Sequence, residues 1–193
     1  ITYWTIINYK QDEKKNSNNS LSKMKIIRFK NKNLHGFGRL EEEVITPFIS
    51  GNNPFNCDLS EECFEKDFSL KLQECELLKP VNPSKVIGVA LNYPGVSDQK
   101  SSGEPLVFLK SSNAVVSFNT EVSLPSRLHA WGEAELAVII NREIKNISEG
   151  QNVEDCILGY CASNDITCNN TEKRDHHLAI SKSQDGFCPM GSF

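Results

Sequence analysis

Short apolar runs separated by polar turns dominate this chain, and they predict strands rather than long helices. Residues 85–91 form an almost continuous apolar run, which is typical of a strand buried on both faces. The predicted strands cover residues 25–29, 36–40, 85–91, 105–110, 136–140 and 157–164. The pattern therefore predicts a chain that is rich in strands.

Two segments have features of helices. Residues 57–78 are acidic and carry apolar residues at roughly helical spacing, and Pro80 ends that segment because the residue before a proline avoids α geometry. Ser148 and Gln151 fit a capping box, which predicts a short helix to about Asp155. The proline-containing stretch after residue 78 is interpreted as a linker between two regions.

The N-terminal segment differs in character from the rest. Residues 11–23 are polar and of low complexity, and such a segment cannot bury enough surface to offset its ordering entropy. We expect residues 1–23 to be a disordered extension with few contacts to the body, and Met24 to be the natural start. The predicted organisation is this extension, a small region over residues 24–80 and a second region over residues 81–193.

Composition narrows the classes of partner. The chain has 193 residues and a formal charge of −4, which gives no reason to expect a nucleic-acid or membrane partner. Its seven cysteines are an odd number without a C-x-x-C pair, a pattern that indicates reduced thiols in a cytosol-like compartment. A cytoplasmic protein is predicted, and a mitochondrial location is left open.

Two carboxylates at the start of one strand suggest a metal site. Glu133 and Glu135 point to the same face, roughly 6.6 Å apart along the strand. At that distance their repulsion is about 2.5 kcal/mol at an effective dielectric near 20 and about 0.6 kcal/mol in water. They are therefore either splayed into solvent or gathered around a cation. Asp165, which follows the strand over residues 157–164, would add a third oxygen ligand suited to Mg²⁺, Mn²⁺ or Ca²⁺.

Three ordered blocks of the sequence favour the cation, through their resemblance to a known family. They are W-G-E-A-E-L-A-V-I-I from Trp131, N-D-I-T from Asn164, and S-K-S-Q-D-G-F-C-P-M-G from Ser181. Together they resemble the fumarylacetoacetate hydrolase family, and the resemblance extends upstream to about Lys85. It implies a β-rich roll of the α+β class, with a small N-terminal region ahead of the catalytic domain.

The resemblance also implies roles for individual residues. In that family the glutamates of E-x-E and the aspartate of N-D hold Mg²⁺ or Mn²⁺; these correspond to Glu133, Glu135 and Asp165. Lys182 matches a catalytic lysine that reaches the substrate oxygen beside the metal. Two further family positions imply substrate contacts, Tyr93 at the start of a mobile segment and Lys110 at the end of a strand.

The implied activity is metal-dependent hydrolysis of a C–C bond in a small 2-oxo or enol acid, in a homodimer when full length. Hydrolases of the family carry a histidine three residues after the tyrosine, where this chain has Val96, which cannot act as a general base. An isomerase or decarboxylase of the same acids is therefore an alternative, and so is an inactive remnant. The family continues for several strands beyond the motif that ends this chain, so we expect missing C-terminal strands and impaired activity.

Overall fold

The computed structural model describes residues 24–32, 34–92, 105–148 and 150–193. It contains thirteen strands, one α-helix of a single turn and several 3-10 turns. The strands are β1 (Ile26–Asn31), β2 (Leu34–Glu41), β3 (Val44–Pro47), β4 (Leu70–Lys71), β5 (Glu76–Leu77), β6 (Val86–Ala90), β7 (Leu106–Lys110), β8 (Val115–Ser117), β9 (Ala130–Trp131), β10 (Ala134–Ile140), β11 (Ile157–Asn164), β12 (Thr167–Cys168) and β13 (Cys188–Met190). The helix is α1 (Ala179–Lys182), and the 3-10 turns are Glu61–Cys63, Leu72–Glu74, Ser112–Ala114, Glu154–Cys156 and Thr171–Lys173.

The chain forms two compact units. One comprises Val81–Leu136 and Ala162–Gly191, and the other comprises residues 24–80 with Ala137–Cys161 and Ser192–Phe193. The chain thus leaves the first of these units after Leu136 and returns to it at Ala162. The predicted division into residues 24–80 and 81–193 stays a prediction. The proposed extension over residues 1–23 lies outside the described residues.

A five-stranded sheet forms the core of the unit that contains residues 24–80. Its strand order is β4-β3-β2-β1-β5, and β1 and β2 form an antiparallel hairpin. Alternation along these strands places Ile27, Phe29, Leu40 and Ile45 on one buried face, as expected for a sheet with one side on the core. These strands include the two predicted over residues 25–29 and 36–40.

The prediction of a helix over residues 57–78 is wrong. In its place the chain forms two 3-10 turns and the short strands β4 and β5. Strand β4 pairs with β3 and β5 pairs with β1, and four partly buried side chains pack against the sheet core: Leu70, Leu72, Cys75 and Leu77. Tertiary packing decides this segment, because its apolar residues gain more by extending the sheet than by forming one helical stripe.

Two further sequence predictions need correction. Strand β6 is present, but it is not buried on both faces: Ile87 is 61% exposed, and within the described residues β6 pairs only with β7. The helix predicted after Ser148 is reduced to the 3-10 turn Glu154–Cys156 in the described part of that segment. Gly150 has a φ of +81° there, which is outside the helical region.

Three smaller groups of strands build the surroundings of the predicted site. A four-stranded sheet has the order β10-β11-β13-β8, with β13 antiparallel to β11 and parallel to β8. Strands β6 and β7 form one antiparallel pair, and β9 and β12 form another. None of the helices in the described part of the chain has the length and hydropathy of a membrane-spanning segment.

Candidate metal centre

Strands β10 and β11 bring the three predicted carboxylates together. Glu133 precedes β10, Glu135 lies in its second position, and Asp165 directly follows β11. The backbone N–H of Asp165 donates to the carbonyl oxygen of Glu133 at 2.8 Å, which fixes the two strand ends side by side. One carboxylate oxygen from each residue lies within 4.8 Å of the others. The convergence expected from the sequence is therefore confirmed, while metal binding itself stays a prediction.

The backbone just before β10 is held by a second contact. Asn164 Oδ1 accepts a hydrogen bond from the backbone N–H of Glu133 at 3.0 Å. The amide of Asn164 also packs against Gly132, where a Cβ would lie 2.8 Å from Asn164 Oδ1. A side chain at position 132 would therefore force the amide that orients Glu133 to move.

Two lysines supply positive charge to the carboxylates. The ammonium group of Lys182 lies 2.9 Å from Glu133 Oε2 and 2.5 Å from Asp165 Oδ2. Lys110 donates to the other oxygen of Asp165, Oδ1, and to the carbonyl oxygen of Ile166 at 3.3 Å. Lys110 is 5% exposed and Lys182 is 8% exposed. Both lysines are therefore buried partners of Asp165.

Two aromatic residues contact the charged groups of the site. The indole N–H of Trp131 donates to Glu133 Oε1 at 2.8 Å, so both oxygens of Glu133 have a donor. The ring of Phe108, on β7, lies 5.0 Å from the ammonium group of Lys182, a distance at which cation–π attraction operates. Neither residue was identified from the sequence. The signal for Trp131 was its place two residues before Glu133, on the same face of an extended segment.

Hydrogen bonds and burial give the two glutamates different proton affinities. Burial favours the neutral acid of Glu133, but hydrogen bonds from Lys182 and Trp131 outweigh it and lower its pKa. Burial, followed by the negative charges of Asp165 and Glu133, raises the pKa of Glu135 to about 7. Burial also lowers the pKa of Lys110, against the attraction of Asp165.

Glu135 carries the feature that best fits a cation. Its Oε2 atom is buried and has no hydrogen-bond partner within the described part of the chain, although buried polar atoms are nearly always satisfied. Together with Glu133 and Asp165 it offers a set of carboxylate oxygens, which hard divalent cations prefer. These residues therefore fit the divalent metal that the sequence predicts.

The raised pKa of Glu135 predicts how metal-free stability depends on pH. The folded protein favours the protonated acid, so this contribution to stability is fully present below the ordinary pKa of 4.5 and is lost as pH rises through about 7. Replacing Glu135 by Gln should therefore stabilise the metal-free protein more at pH 8 than at pH 5. Chemical unfolding of both proteins in a chelating buffer measures this difference, and an equal effect at both pH values would contradict it.

The remaining candidate residues lie elsewhere or outside the described residues. Tyr93 and Val96 belong to the segment over residues 93–104, which the structure does not describe. His176 and His177 are exposed. The ring of His129 stacks on Trp131 at a centroid distance of 5.8 Å. The substrate contact predicted for Lys110 stays a prediction, since its amine is occupied by Asp165 and Ile166.

Comparisons with known proteins show which family this chain belongs to and which relatives it is similar to. Residues 85–193 match the family described as fumarylacetoacetate (FAA) hydrolase C-terminal. An uncharacterized protein of Archaeoglobus fulgidus is 35% identical over 130 residues, which are 65% of this chain and 52% of that protein. The mitochondrial oxaloacetate tautomerase of Xenopus laevis is 29% identical over 130 residues, which cover 63% of this chain and 40% of the relative.

A solved structure is similar over most of the chain. The 5-carboxymethyl-2-hydroxymuconate delta-isomerase from Mycobacterium smegmatis is 29% identical and superposes with a TM-score of 0.72, covering 87% of this chain and 65% of the isomerase. This similarity confirms the predicted β-rich α+β fold. The chain spans about half the length of the curated relatives it matches.

Proposed function

This chain belongs to the fumarylacetoacetate hydrolase family, and on that basis we propose that it acts on a small 2-oxo acid by stabilising its enolate. The observation that carries the proposal is the convergence of three carboxylates beside a buried ammonium group. Oxygens of Glu133, Glu135 and Asp165 lie within 4.8 Å of one another. Lys182 lies within hydrogen-bond distance of two of these residues.

The three carboxylates would hold Mg²⁺ or Mn²⁺, with Ca²⁺ as a further candidate. Once bound, such a cation supplies Lewis-acid stabilisation of negative charge on the carbonyl oxygen of a 2-oxo acid. Trp131 keeps the carboxylate of Glu133 in place through Oε1. Lys110 does the same for Asp165 through Oδ1.

Lys182 is the residue proposed to contact the reacting atoms. Its ammonium group is held between two carboxylates and faces the ring of Phe108. A buried positive charge at this place would stabilise an enolate oxygen more strongly than the same charge in water, because the local dielectric is low. We also propose that Lys110 and Tyr93 contact the substrate. The full-length protein is proposed to be a homodimer located in the cytoplasm.

Isomerisation of the 2-oxo acid, between its keto and enol forms, is the reaction that we favour. It requires a proton to move between carbon and oxygen, but it requires no activated water molecule. The sequence favours it because Val96 stands where a hydrolase of the family has the histidine that accepts a proton from water. Hydrolysis of a C–C bond is the second candidate, favoured by the match of residues 85–193 to the fumarylacetoacetate hydrolase family.

The test uses oxaloacetate for isomerisation and a 2,4-dioxo acid for hydrolysis, each with saturating Mn²⁺. We expect faster decay of the oxaloacetate enol absorbance than in buffer with Mn²⁺ alone. Replacing Lys182 by Met should lower kcat/KM by about 10²-fold or more, the usual loss when one preorganised charge-stabilising group is removed. Release of pyruvate from the dioxo acid would instead identify hydrolysis.

A matched control is Lys85→Met, since Lys85 is an exposed lysine directly before β6. This variant should retain the wild-type rate with either acid. If Mn²⁺ binds and neither acid reacts faster than in buffer, the chain is an inactive metal-binding member of the family and the proposal fails.

A further inference from the structure

We propose that Asp175 is a positioning residue, which anchors the single helical turn α1 so that the ammonium group of Lys182 lies between Glu133 and Asp165. The inference deepens the proposed function, because it rests on that function for the role of Lys182. The contacts that support it involve no substrate and no metal. They can therefore be tested without either.

The carboxylate of Asp175 organises the start of α1. Oδ1 accepts a hydrogen bond from the backbone N–H of Ala179 at 2.8 Å. Oδ2 accepts two more, from the backbone N–H and from the hydroxyl group of Ser181, both at 2.7 Å. Ser181 is only 2% exposed, so its hydroxyl group would have no access to water as a replacement partner. One carboxylate thus fixes the residue that immediately precedes Lys182.

This support is needed because α1 is too short to hold itself together. A helix of one turn has little intrinsic stability in water, since the cost of nucleation is not recovered. The backbone N–H of Lys182 closes the turn by donating to the carbonyl oxygen of Leu178 at 2.9 Å. Leu178 itself adopts a left-handed conformation with a φ of 57°, which is unfavourable for leucine. External hydrogen bonds must therefore maintain this turn.

Asp175 is itself fixed by a neighbouring amide. Asn170 donates through Nδ2 to the carbonyl oxygen of Asp175 at 3.0 Å and accepts its backbone N–H through Oδ1 at 2.9 Å. The pKa of Asp175 reflects the same contacts: partial burial favours the neutral acid, but the hydrogen bonds from Ser181 lower the pKa overall. The anchoring group is therefore a carboxylate at neutral pH.

A second set of contacts fixes the residue after Lys182. The hydroxyl group of Ser183 donates to the carbonyl oxygen of Leu109, and that of Ser111 donates to the carbonyl oxygen of Ser183, both at 2.9 Å. Lys182 is thus held between Ser181 on one side and Ser183 on the other. Asp175 is the charged member of this arrangement, and hydrogen bonds to charged groups contribute most.

Chemical labelling of lysines tests the inference. Wild type, Asp175→Ala and Asp175→Asn are treated, without metal, with an amine-reactive ester, and modification at each lysine is followed by peptide mass spectrometry. Lys110 serves as an internal reference, because it is also buried against Asp165 but lies on β7. We expect Asp175→Ala to increase modification of Lys182 about tenfold or more, since strong hydrogen bonds to a carboxylate are lost. Lys110 should change little.

The isosteric variant and a control keep the test decisive. In Asp175→Asn, the amide oxygen can replace one carboxylate oxygen, so Lys182 should react at an intermediate rate. Asp155→Asn, which changes an exposed carboxylate, should behave like wild type. Unchanged modification of Lys182 in Asp175→Ala, or an equal increase at Lys182 and Lys110, would overturn the inference, since the second outcome indicates general loosening.

Titration with Mn²⁺ separates this inference from the proposed function. If wild type does not bind Mn²⁺, the proposed function fails, but the labelling result still decides the role of Asp175. If Mn²⁺ binds, Asp175→Ala and Lys182→Met should change the dissociation constant in the same direction. The double variant should then change it no further than Lys182→Met alone, because Asp175 acts through Lys182.

Discussion

Mn²⁺ should raise the unfolding temperature of this protein, and the double substitution Glu133→Gln/Glu135→Gln should abolish that increase. A ligand that binds only the native state stabilises it by about 2.7 kcal/mol at a concentration 100 times its dissociation constant. For a chain of this length, that corresponds to an increase of roughly 5–10 °C. Neutral amides cannot replace the charge of two carboxylates toward a divalent cation, so the double variant should unfold at the same temperature with and without Mn²⁺.

The control for this experiment changes two carboxylates away from the site. Glu143 and Glu154 are both exposed, and their replacement by Gln removes the same formal charge. The control variant should retain the full increase in unfolding temperature. Mg²⁺ should act in the same direction as Mn²⁺. An increase of equal size in the Glu133→Gln/Glu135→Gln protein would show that the cation binds elsewhere.

Replacing Lys110 by Met should lower the free energy of unfolding by about 3–5 kcal/mol, the range for removal of one partner of a buried ion pair. The side chain of Lys110 is 3% exposed and that of Asp165 is 11% exposed. Without Lys110, Oδ1 of Asp165 would remain desolvated and lose its donor. Among the described residues, Lys182 would then be the remaining ion-pair partner of Asp165. Chemical unfolding with linear extrapolation measures the loss.

A second variant shows whether the loss of unfolding free energy arises from the buried charge of Asp165 that Lys110 no longer pairs. In Lys110→Met/Asp165→Asn the residue at position 165 is neutral, so the double variant should be more stable than the sum of the two single changes predicts. Lys85→Met, at an exposed lysine, should lie within about 0.5 kcal/mol of wild type. A Lys110→Met protein as stable as that control would mean that the ion pair contributes nothing to stability.

The carboxylates could be predicted from the sequence because local rules determine them. The period of a strand places Glu133 and Glu135 on one face, and the apolar run over residues 157–164 ends directly before Asp165. Spacing alone does not determine whether the strands bring the three carboxylates together or leave them in solvent. The family motifs made that distinction, and the structure shows the convergence.

Other features depend on partners that are distant in the sequence. Residues 57–78 have the apolar spacing of a helix, yet Leu70 and Leu77 join strands because the sheet core offers them a surface. Lys110 contacts a carboxylate 55 residues away, and no local pattern marks that pairing. By contrast, the partners of Asp175 lie four and six residues away, and no sequence pattern marks them, because the N–H groups of Ala179 and Ser181 and the hydroxyl group of Ser181 reach its carboxylate once α1 has formed.

The separation of the site residues along the chain has a kinetic consequence. The ion pairs of the centre join residues that are 55, 49 and 17 positions apart. Closing such loops costs entropy before any contact forms, so an unfolded chain does not present the three carboxylates together. Interactions that appear only after the transition state slow unfolding with little effect on the folding rate. A cation bound at this centre would therefore prolong the lifetime of the folded protein rather than speed its formation.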